Sequence, residues 1–129
     1  MKLKKSLALF LGLLLVFAIS IEALAATTSI KGPNKAKAGP DATKANSTLE
    51  PSVNVLSWSN CHGSIIFWVY KNGTGQASGT YTFLSTGSKN IFYLDNSWKV
   101  ANALYHSVWK TNNSVGTNET ASVTYTFVP

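Results

Sequence analysis

The sequence predicts an all-β fold: a small antiparallel β-sandwich of about six short strands, with residues 95–110 open to either a strand or a helix. Three observations carry this. Apolar residues recur with a period of two in several short runs. Those runs are separated by turn-forming clusters such as KNGTGQASG and STGSKN. All thirteen aromatic residues beyond position 26 fall between Trp58 and Phe127, which marks one core-forming region.

The elements follow in order. SVNVLSW (Ser52–Trp58) alternates, setting Val53, Val55 and Ser57 on one face and Asn54, Leu56 and Trp58 on the other. SIIFWVYK (Ser64–Lys71) is apolar on both faces, as a central strand would be. Ile65, Phe67 and Val69 form one set suited to a core. Ile66, Trp68 and Tyr70 form the other, which faces a second layer or solvent. TYTFL places Tyr81 and Phe83 together. NIFYLD reads as a short strand. ASVTYTFV (Ala121–Val128) puts Val123, Tyr125 and Phe127 on one side and Ser122, Thr124 and Thr126 on the other. DNSWKVANALYHSVWK (Asp95–Lys110) fits a helix capped by Ser97. It also fits a strand in which Leu104, His106 and Val108 share a face, and the β neighbourhood favours the strand.

Three segments are expected. Residues 1–25 read as a signal peptide: MKLKK is a basic start, SLALFLGLLLVFAIS an apolar run, and Ala23 and Ala25 an A-x-A cleavage pattern. Residues 26–51 are rich in Ala, Thr, Lys, Gly, Pro and Asn. With so little to bury, they read as a flexible basic arm or a propeptide. Residues 52–129 are the aromatic-rich β-sandwich domain. The expected location is extracellular, as a secreted protein.

Without the leader, eight lysines stand against four acids, a net charge of +4. Every basic residue is lysine, so bidentate arginine clamps on phosphate or carboxylate are excluded. Nucleic acid is not an expected partner, because the base-reading arginine is absent. An anionic cell envelope or membrane surface, or an envelope receptor, fits the charge better. A single cysteine, Cys61, rules out an internal disulfide, so the domain stands on its core, on oligomerisation or on a partner.

No catalytic set emerges. Adjacent Cys61 and His62 would point to opposite sides of an extended chain, and Cys61 with His106 is the only reasonable dyad. NCHGS reads instead as a turn with Cys61 and His62 at its tip. The His and Cys spacing lacks the paired ligands of a zinc site, and neither metal nor cofactor is expected. Asp95 and Glu119 are the only acids of the folded part, each beside turn residues. The expectation is a protein that is not an enzyme. Its candidate binding residues are Trp58, Trp68, Trp98 and Trp109, as exposed aromatic contacts, with Lys31, Lys35, Lys37 and Lys44 of the arm.

A leader followed by a short aromatic-rich β domain, ending in the Tyr/Phe strand SVTYTFVP (Ser122–Pro129), resembles the secreted bacteriocins of the lactococcin β-sandwich type. The resemblance covers the plan and the terminal strand, and carries over no site residue. It implies a secreted non-enzymatic effector acting on cell envelopes, a bacteriocin-like antimicrobial protein. The alternative from the residues alone is an extracellular glycan- or matrix-binding module, with tryptophan faces stacked on sugar rings.

Overall fold

The computed structural model describes Ala23 and residues 25–129. The expected signal peptide lies outside the described residues apart from Ala23 and Ala25. Nine strands form two antiparallel sheets packed face to face, an all-β sandwich. The strands are β1 (Ala25–Lys31), β2 (Ala36–Thr43), β3 (Ser52–Ser59), β4 (Ile65–Lys71), β5 (Gly75–Gln76), β6 (Tyr81–Phe83), β7 (Gly87–Asn90), β8 (Leu104–Thr111) and β9 (Thr120–Val128). One sheet has the order β1-β9-β3-β7. The other runs β2-β8-β4, with β5 and β6 both on the far edge of β4.

Alternation builds the core. Ile65, Phe67 and Val69 of β4 face Val123, Tyr125 and Phe127 of β9, and every one of them is buried. Trp109 is the hub. Its ring centroid lies 4.8 Å from Phe67 and 4.7 Å from Tyr125, and Phe83 packs edge-on to Phe67. Each such ring contributes about 1.5–3 kcal/mol by leaving water. That sum lets a chain with one cysteine fold without a disulfide.

The first correction concerns residues 26–51. Most of them are not a flexible arm but two edge strands, β1 and β2, one in each sheet. β1 pairs with β9 over seven residues, from Ala25↔Thr126 to Lys31↔Thr120. β2 pairs with β8, interrupted by a bulge between Ala38 and Asp41. Thr28 and Ile30 are buried, and Pro40 is tolerated because β2 is an edge strand. Composition misleads here because these edge strands bury little: β1 buries only Thr28 and Ile30, and β2 is nowhere more than half-buried. Gly39 sits within the bulge for a steric reason. A Cβ there would lie 1.9 Å from the Tyr125 hydroxyl, which bonds Thr28 Oγ1 and Ser107 Oγ.

Other elements shift too. A bulge between Val55 and Ser57 exposes Leu56 and returns Trp58 to the core side, opposite Val123. STGSKN, expected as a turn, contains β7. Residues 91–94, expected as a strand, keep only a bridge from Tyr93 to Ser78. Residues 95–110 resolve into a single 3-10 turn (Asn96–Trp98), then β8. Asp95, not Ser97, caps the turn by accepting from the Ser97 N–H.

Candidate functional site: the outer face of the five-stranded sheet

The two sheets present different outer faces. On the β1-β9-β3-β7 sheet the face is hydroxyl-rich. Thr124 of β9 pairs with Thr27 and Ser57, and Ser122 with Ser29 and Ser59. Hydroxyls bond across strands at 2.9 Å (Thr27–Thr124) and 2.8 Å (Ser29–Ser122). This is the ordinary solvated face of an antiparallel sheet.

The other outer face is aromatic and aliphatic. β4 turns Ile66, Trp68 and Tyr70 outward, opposite Lys110, Val108 and His106 of β8. Trp68 is half-buried and Tyr70 exposed. The Tyr70 and His106 rings stack at 5.1 Å. A polar margin completes the row. His106 Nδ1 lies 2.7 Å from Asn72 Oδ1 and 3.4 Å from a carboxylate oxygen of Asp41, which sits opposite His106 on β2. Lys110 occupies the next row but one, between Ile66 and Ala36. Beyond it lies the connection from β1 to β2, which crosses between the sheets and carries exposed Lys31, Lys35 and Lys37. Thus one sheet end is basic and its outer face is aromatic.

The candidate residues separate accordingly. Trp68 is on the outer face. Trp58 and Trp98 are half-buried against the core, and Trp109 is 0 % exposed. Trp109 is therefore corrected from a surface contact to the core hub, because odd positions of β8 point inward. Lys44 is also corrected. It is 0 % exposed, with Nζ donating to main-chain oxygens of Leu49 and Pro129. Burial pulls its ammonium below the usual lysine range, against the opposing charge of Glu50. Lys99 pairs with Glu50 beside it. Sequence reasoning missed Asn72 and Asp41 as neighbours of His106, since strand register alone brings them together.

Cys61 and His106 do not converge. Cys61 precedes the Ile65 end of β4, whereas His106 pairs with Tyr70 near the other end. Five residues of strand separate those rows, roughly 17 Å. The turn reading of NCHGS holds in part. Ser64 N–H donates to the Cys61 carbonyl at 3.2 Å, and His62 and Gly63 both adopt positive φ, the geometry of a primed turn. The thiol, however, is buried rather than at the tip, and burial raises its pKa. His62 Nε2 meets Glu119 Oε2 at 2.7 Å. The Gly116 N–H and His62 hold the Glu119 carboxyl below its usual range. Among the described residues, no three His, Cys, Asp or Glu side chains cluster as metal ligands.

In comparisons with protein-family models, with curated proteins and with solved structures, no match was found.

Proposed function

We propose that this protein is a secreted, non-enzymatic effector that acts on cell envelopes, a bacteriocin-like antimicrobial. In this reading it docks through the outer face of the five-stranded sheet. The observation that carries the reading is the outward set Ile66, Trp68 and Tyr70, backed by Val108 and His106 and adjoining the basic connection from β1 to β2. Lys31, Lys35 and Lys37 draw the protein to an anionic surface, each contributing about 1 kcal/mol there. Trp68 and Tyr70 then enter the interfacial layer, where amphipathic rings are favoured. Lys44, Trp58, Trp98 and Trp109 take no part in contact.

The test is titration against anionic and neutral vesicles at low and high salt, with growth inhibition on bacterial lawns. Anionic binding that weakens with salt, together with inhibition, supports the proposal. Absence of both, with tight retention on a polysaccharide column, supports a glycan-binding module instead. The Tyr70–His106 stack with Asn72 and Asp41 at its edge favours that second reading, since sugar rings need an aromatic floor and polar edges.

A further inference from the structure

The outer face of the five-stranded sheet carries two opposite charges. Strand register places Asp41 of β2 and Lys110 of β8 on it, whereas Lys37 and Lys71 stand opposite Trp109 and Tyr105, whose side chains point inward. His106 lies between Asp41 on β2 and Tyr70 on β4, and its side chain is 19 % exposed. Asp41 and Tyr70 are the titratable groups that face it from these neighbouring strands, and β5 adds only Gly75 and Gln76. Two acceptors meet its Nδ1: Asn72 Oδ1 at 2.7 Å and an Asp41 carboxylate oxygen at 3.4 Å. Nδ1 therefore carries a hydrogen in either charge state, and the proton gained on acidification goes to Nε2. The other histidine, His62, faces Glu119 in the turn before β4, beyond the opposite end of that strand.

We propose that His106 is a proton switch on the docking face, which strengthens attachment to an anionic surface as the medium turns acidic. The inference rests on the docking reading above. With His106 neutral, the Asp41 carboxylate offsets the Lys110 ammonium and the face is electrically balanced. With His106 protonated, the imidazolium and Lys110 outweigh Asp41 and the face is net positive. The new charge arises within the aromatic row itself. It stacks on the Tyr70 ring at 5.1 Å, a separation at which an aromatic face supports a cation. Asp41 has two effects in this arrangement. It holds the face neutral at alkaline pH, and it gives the imidazolium a carboxylate neighbour at acid pH.

The test is titration of the whole protein against phosphatidylglycerol vesicles at about pH 5 and about pH 8, at one salt concentration. The phosphodiester headgroups keep their charge across that range, so the ratio of the two affinities reads the protein alone. Wild type is expected to bind about fivefold tighter at the acid pH, the effect of one added charge at an anionic surface. His106→Gln should lose that ratio, and His106→Lys should bind at both pH values with nearly equal, high affinity. His62→Gln should keep the ratio. Asp41→Asn should tighten binding at the alkaline pH by about fivefold, because the offsetting carboxylate is gone. Equal wild-type binding at the two pH values overturns the switch alone. So does a ratio that survives His106→Gln but vanishes with His62→Gln. No binding at either pH overturns the docking reading and the switch with it.

Discussion

Lys44 Nζ donates a hydrogen bond of 2.9 Å to the main-chain oxygen of Pro129, 85 positions along the chain. The same ammonium reaches the Leu49 carbonyl at 2.5 Å and lies 5.1 Å from the Tyr93 ring centroid. A lysine that composition groups with a surface arm is a buried clasp. It holds the end of β9 against the loop after β2.

Lys44→Met should therefore destabilise the fold by about 2–4 kcal/mol, because one buried and one part-buried acceptor lose a charged donor. The pH dependence has a definite sign. The folded-state pKa lies below 10.5, so between the two values the unfolded chain binds more protons. The stability of wild type relative to Lys44→Met should rise as pH climbs toward 10.5 and level off above it. Denaturant melts of both proteins across that range check this. A difference that falls with pH would contradict the burial of the charge.

Trp68→Ala and Trp109→Ala should part company. Trp109→Ala empties the hub of the core and should cost about 3–5 kcal/mol. Trp68→Ala removes a half-exposed ring and should leave a folded protein with weakened envelope or vesicle binding. Circular dichroism and vesicle titration, run on both variants, read the two effects separately.

Gly39→Ala should cost about 1–3 kcal/mol, because its Cβ collides with the Tyr125 and Ser107 hydroxyls. Tyr125→Phe removes the hydroxyl that stands closest. The double variant should recover part of the loss, and thermal melts of the three variants show whether it does.

The Cys61 thiol should react slowly with a disulfide reagent in the native state and rapidly once unfolded. It is buried, its pKa is raised, and its nearest polar atoms are the Ser59 and Ser122 carbonyls. Cys61→Ser should keep the fold, since a hydroxyl can donate to the same carbonyls. Fast native labelling would place the thiol at the surface.

The sandwich itself was legible wherever strands alternate strongly, as in β4 and β9. Periodicity carries no information on what lies opposite, so β1 and β2 were unreadable. Their partners β9 and β8 are some sixty to a hundred residues away, and their small residues resemble a linker. Bulges were equally silent. One extra residue at Leu56 reverses the facing of Trp58, and nothing local in VNVLSW announces it. The outer-face candidate was half visible. Trp68 and Tyr70 follow from alternation, whereas Asn72 and Asp41 meet His106 through register and a neighbouring strand.

The order of strands also governs when the fold can form. β9, the last of the described strands, lies between β1 and β3 in that sheet. A chain emerging N-terminus first, from a ribosome or a translocation pore, holds β1 and β3 without the strand that joins them. Neither can complete its ladder until Thr120–Val128 has appeared. Such non-local closure is slow, and it leaves β1 without its only partner until Thr120–Val128 are free.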